Sequence, residues 1–69
     1  MKYLWDKEQI HSVAASKLRE IDIHSQPSQN FPWKVLGWYN SHDYFYFGAF
    51  ESVGDARFFI LSLHERMDS

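Results

Sequence analysis

From Ile10 onward apolar residues recur at three- and four-residue intervals: Ile10, Val13, Ala14, Leu18 and Ile21. Lys7, Glu8, Ser12, Ser16 and Arg19 fall elsewhere around the same wheel. That period predicts a one-sided helix of about four turns ending near Asp22. Asp6 would be its N-cap, with Gln9 three residues on as in a capping box, and Trp5 and Ile10 would form a hydrophobic staple.

The pattern then changes. Ile23 to Pro32 is polar and carries Pro27 and Pro32, which disfavour helix at and before themselves, so a long loop is expected. Ile21-Asp22-Ile23 could instead supply a third strand. Trp33 to Asn40 and Tyr44 to Phe50 are rich in Val, Trp, Tyr and Phe and predict two strands. Asn40-Ser41-His42-Asp43 between them is turn chemistry. A hairpin centred there pairs Tyr39 with Tyr44, Gly37 with Tyr46 and Val35 with Gly48 on one face. Trp38 then lies opposite Phe45, and Leu36 opposite Phe47, on the other. Leu36, Trp38, Phe45, Phe47 and Ala49 make the more apolar face and are expected inside. Trp33, Val35, Tyr39, Tyr44, Tyr46 and Phe50 make the second face, which tyrosines suit if it is half wet.

Ser52 reads as the N-cap of a last helix, with Asp55 favourably placed in its first turn. Ala56, Phe59, Ile60, Leu63 and Met67 form an apolar stripe, and Phe58 and Leu61 point nearly opposite to it. Either a second layer covers those two residues or they are an exposed anchor for a partner. Arg57 and Glu65 would be the polar rim of such an anchor.

These elements predict a single α+β domain over residues 1–69. The expected fold is αββα: a two-stranded antiparallel hairpin packed against two helices, its sheet open to extension by dimerisation. An isolated hairpin is marginal in water, which is why both helices are placed on it.

With 69 residues the chain has room for one domain, and a domain of this size buries roughly 60% of its unfolded surface. It has no cysteine, so neither disulfides nor cysteine-bound zinc can reinforce it. Dense aromatic packing or self-association remains. Six Phe, four Tyr and three Trp make up 19% of the chain, more than one small core needs, so some are expected on the surface. The net charge of −2 lacks the clustered cations of a phosphate-backbone binder. No signal-like or membrane-length apolar run is present, which makes the cytoplasm the expected compartment.

Candidate chemistry is sparse. His11, His24, His42 and His64 include no pair at the spacing that places two ligands on one helix face. Ser41-His42-Asp43 has the letters of a nucleophilic triad, but the residues are consecutive in a turn, whereas a triad is assembled from separate positions. No phosphate-binding glycine loop occurs, and no catalytic residue, metal or cofactor is implied. The passage from Phe47 to Ala56 resembles the sheet-to-helix junction of integrase arm-binding and AP2-type DNA-binding domains. Their basic sheet face is missing here, so no function is carried over.

The expectation is a non-catalytic protein–protein interaction module, acting on a protein partner or as a homodimer. By analogy of size, an accessory protein of a phage or mobile element that inhibits a host defence enzyme would fit. The expected contact residues are Tyr39, Tyr44, Tyr46, Phe58 and Leu61, with Lys34, Arg57 and Glu65 as a polar rim. The alternative is a single-strand nucleic-acid binder that stacks bases on the tyrosine face, with Lys34 and Arg57 as the nearby cations.

Overall fold

The computed structural model describes residues 2–27 and 30–68. Two short strands come first, β1 (Tyr3–Trp5) and β2 (Ser12–Ala14), followed by a 3-10 turn at Ala15–Lys17. Then come β3 (Glu20–Ser25), β4 (Trp33–Trp38), β5 (Tyr44–Phe50) and one helix, α1 (Val53–Asp68). β1 and β2 form an antiparallel two-stranded sheet, and β3-β4-β5 form an antiparallel three-stranded sheet with β4 in the middle.

The αββα expectation is therefore corrected. The structure is α+β, and its described residues form five strands in two sheets and a single helix. The helix expected from Asp6 to Asp22 does not form. Asp6 caps the β1–β2 loop instead: its Oδ1 accepts from the Ile10 N–H at 3.0 Å, and its own N–H donates to the His11 carbonyl at 3.0 Å. Gln9 takes up the turn with φ 57°. Ile10, expected on the buried stripe, is exposed, whereas Leu4 and Val13 pair across the hairpin and are buried. The physical reason lies in the sheet. A two-stranded hairpin leaves half its backbone groups unpaired, and Glu20–Ser25 pairs along the whole of β4. Ile21 and Ile23, two residues apart, then face the core together. The alternative third strand at residues 21–23 is thus the one realised.

The turn between β3 and β4 is shorter than the expected loop, and the Gln26 N–H closes it on the Pro32 carbonyl at 2.8 Å. Ser28 and Gln29 of that loop lie outside the described residues. The two strands of the central hairpin and the last helix fall where expected. Asn40 closes the turn: its Oδ1 accepts from the N–H groups of His42 at 2.7 Å and Asp43 at 2.8 Å. Ser52 caps α1, its Oγ accepting from the Asp55 N–H at 3.1 Å.

The register differs from expectation over half the hairpin. Val35 pairs with Gly48 as expected, but Leu36 pairs with Tyr46, Gly37 with Phe45 and Trp38 with Tyr44. Phe47 is the extra residue of a β-bulge, so Phe47 and Gly48 both lie opposite Val35. Gly48 has φ 153°, and a Cβ there would meet Lys7 Cβ at 2.6 Å. Lys7 passes over this point, donating its N–H to the Phe47 carbonyl at 2.6 Å and its Nζ to the Ala49 carbonyl at 2.8 Å. The β5 edge, expected to be open, is capped there by the β1–β2 loop.

The bulge reverses the alternation, and so Phe45, Phe47 and Phe50 all reach one side. Val35, Phe47 and Phe50 join Ala56 and Leu63 of α1 and Leu4 and Val13 of the hairpin in one core. Ile21, Ile23, Trp33, Tyr39 and Phe45 pack against its margin. α1 lies across β3, β4 and β5, and Lys2 Nζ ties the first strand to it by donating to the Met67 carbonyl at 2.9 Å. The expected inner set is therefore split. Phe45 and Phe47 face in, while Leu36, Trp38 and Ala49 share the opposite side with Tyr44 and Tyr46. Trp33, Val35 and Phe50, expected outside, face in.

Candidate functional site

The register places Glu20, Trp38 and Tyr44 in one row across the three strands. Asp22, Leu36 and Tyr46 form the next, and His24, Lys34 and Ala49 the third. All nine side chains project from the side away from α1, and among the described residues no second layer covers them. The aromatic cluster of this face gathers on Trp38, on the middle strand at one end of the face. Its ring lies 5.0 Å from that of Tyr44 and 5.8 Å from that of His24, tilted against both. Its Nε1 donates to Asp22 Oδ1 at 3.0 Å, and His24 Nε2 stands 3.4 Å from the same oxygen. Asp22 thus fixes both the indole and the imidazole. Its geometry positions rings more than it stabilises the fold, because exposed pairs contribute little.

Leu36 is buried on this side yet stands apart from the main core. Tyr44 and Tyr46 are about half exposed, at 50% and 48%. The face thus presents two tyrosines and a histidine to solvent around a half-buried tryptophan, with a buried leucine beneath. Its charges are balanced toward acid: Glu20 and Asp22 against Lys34.

The expected contact residues separate into three places. Tyr44, Tyr46 and Lys34 lie together on the open face. Tyr39 does not join them. It follows the end of β4, packs against the core margin and lines a shallow groove with Tyr3, Ser12, Val13 and Lys17. Phe58, Leu61, Arg57 and Glu65 are exposed on the outer side of α1, on the far side of the core. No second layer covers Phe58 and Leu61 among the described residues, and both side chains are exposed.

Trp38, His24, Asp22 and Leu36 were not among the expected contact residues. Two signals could have found them. The alternation Ile21-Asp22-Ile23-His24 places Asp22 and His24 on one side of a third strand. A glycine inside a strand, Gly48, marks a bulge, and the bulge moves Trp38 beside Tyr44.

Ser41-His42-Asp43 forms part of the turn closed by Asn40, whose Nδ2 also donates to Asp43 Oδ2 at 3.1 Å. Elsewhere, burial raises the pKa of the Asp6 carboxyl. Hydrogen bonds from the Ile10 and His11 backbone, and the neighbouring His11 ring at 3.5 Å, outweigh this and hold it below its ordinary value. No described helix is long and apolar enough to cross a membrane.

No family model matches the chain, and neither a curated protein nor a solved structure is significantly similar to it.

Proposed function

We propose that the chain is a non-catalytic interaction module that holds a partner protein on the open face of the three-stranded sheet. The observation that supports this best is the His24–Trp38–Tyr44 cluster, a half-buried indole bonded to Asp22 and flanked by an exposed His24 and Tyr44 beside Tyr46. Trp and Tyr are the side chains that most often dominate protein interfaces, and rings held in place before binding lose little entropy on docking. Tyrosine hydroxyls let the face stay soluble when free and supply hydrogen bonds when covered. An inhibitor of a host enzyme, carried by a phage or other mobile element, would use such a face to mask its target.

A second reading has its own support. Rings on neighbouring strands of an open sheet are the platform on which single-stranded nucleic acid stacks. Glu20 and Asp22 beside Lys34 weigh against it, since backbone phosphates require clustered cations.

The test is affinity capture from a lysate of the source cell, with and without nuclease, using wild type and the Tyr44→Ser/Tyr46→Ser variant. One protein retained after nuclease by wild type and lost by the variant supports the module. Loss of all captured material on nuclease treatment supports the nucleic-acid reading. Equal capture by both forms removes the sheet face from the account.

A further inference from the structure

The outer side of α1 carries a second apolar feature, independent of the sheet. Phe58 is 76% exposed and Leu61 is 61% exposed, the former the highest value among the large apolar side chains. At 100° per residue, Gly54, Arg57, Phe58, Leu61, His64 and Glu65 share this side, opposite Ala56 and Leu63. All six are exposed. Gly54 keeps the N-terminal part of the stripe low, with no atom nearer than 3.8 Å to where its Cβ would be. Arg57 and Glu65 lie four residues on either side of Leu61. Neither takes part in an ion pair among the described residues.

This stripe is complementary to itself when reversed. We propose that α1 packs antiparallel against α1 of a second copy, on a two-fold axis passing at Leu61. The axis sets Leu61 against its own copy. It sets Phe58 of each chain about 4.5 Å along the helix from the axis, level with His64 of the other and flanking the Leu61 pair. Arg57 and Glu65 each lie about 6 Å along the helix from the axis, in opposite directions. Reversal therefore sets the Arg57 of either chain level with Glu65 of the other, giving two symmetric ion pairs around an apolar centre. A two-fold contact requires this relation of a patch to its own reverse. A parallel pairing would set Arg57 against Arg57 and Glu65 against Glu65. One helix face buries less than the roughly 1,200 Å² of a standard interface, so the dimer forms weakly and its population rises with concentration. It leaves the open sheet face free, and each surface can fail its test without the other.

Sedimentation from about 10 to 500 µM reads the dimer in the concentration range of a small interface. Phe58→Ser and Leu61→Asp, which sets two like charges against each other on the axis, should each abolish it with the melting temperature unchanged. Arg57→Glu should weaken it about tenfold, from two lost surface pairs. Arg57→Glu/Glu65→Arg should restore it. The chain has no cysteine, so a single introduced one reports geometry without interference. Helix axes about 9–10 Å apart bring the two Leu61 Cα atoms to roughly 4.4–5.4 Å, within disulfide range. Leu61→Cys keeps a small apolar side chain on the axis and should then cross-link two copies in air at the top of that concentration range, and Ser41→Cys in the hairpin turn should not. A monomer at every concentration overturns the proposal. So does a dimer indifferent to Phe58 and Leu61, a double charge swap that fails to recover, or equal cross-linking at both positions. Loss of the dimer in Tyr44→Ser would move the self-contact to the sheet and also overturn it.

Discussion

Replacing Gly48 by alanine should cost about 2–4 kcal/mol of stability. Three structural terms set that figure. The backbone at Gly48 has φ 153°, a region that residues with a Cβ rarely adopt, and holding alanine there costs about 1–3 kcal/mol. The new methyl would stand 2.6 Å from Lys7 Cβ, against a comfortable carbon–carbon separation of about 3.5–4.0 Å. Lys7 must therefore retreat by about 1 Å, and that loosens the bond from its N–H to the Phe47 carbonyl, worth about 0.5–1.5 kcal/mol. Urea unfolding followed by tryptophan fluorescence reads the change in midpoint at constant slope. For so small a domain the melting temperature should fall by about 10–30 °C. Gly54→Ala is the internal comparison. Its Cβ meets nothing closer than 3.8 Å and it sits in the first turn of α1, so a gain of about 0.4–1 kcal/mol is expected. If Gly48→Ala stays within about 0.5 kcal/mol of wild type, the bulge and the Lys7 crossing are wrong. The face assignment that depends on them would fall with it.

Leu63→Ala removes a fully buried side chain where α1 meets the sheet, and should lower unfolding free energy by about 2–5 kcal/mol in the same assay. Trp38→Phe keeps a ring but loses the bond to Asp22. It should cost only about 0.5–1.5 kcal/mol of stability, while partner capture falls further because the platform is no longer fixed. The lowered pKa of Asp6 gives a pH dependence of defined sign. The ionised carboxyl stabilises the β1–β2 loop above the unfolded value of about 3.9, and that contribution disappears as pH falls through the lower folded value. Asp6→Asn should therefore be less stable than wild type at neutral pH, with the difference closing under acid in pH-dependent denaturation.

The C-terminal half of the chain was legible because its signals agree. Ser52 as cap, the Ala56-Phe59-Ile60-Leu63 stripe and the Asn40–Asp43 turn each have one good local solution, and the structure adopts it. The N-terminal half carries two periods at once. Ile10, Val13, Leu18 and Ile21 satisfy a helix, while Ile21 and Ile23 satisfy a strand. Local spacing does not weigh the need of β4 for a second neighbour, and that long-range pairing decides the outcome. Asp6 caps a turn with the same oxygen that would have capped a helix, so its signal was right about the interaction and silent on what followed. The site was half legible for a related reason. Tyr44 and Tyr46 reach the open face as expected. Tyr39 lies beyond the end of β4, and Trp38 is brought out by a single inserted residue, which strict alternation does not anticipate.

The most direct test of the sheet-face account is a nuclear magnetic resonance titration of the ¹⁵N-labelled protein with the partner obtained by capture. The Trp38 indole N–H, held on Asp22, is the reporter within the aromatic cluster of the face. The account predicts large shifts of that resonance and of the amides of Lys34, Leu36, Tyr44 and Tyr46, with α1 unaffected. Shifts confined to α1 or to the β1–β2 hairpin, with the Trp38 indole unmoved, would contradict it.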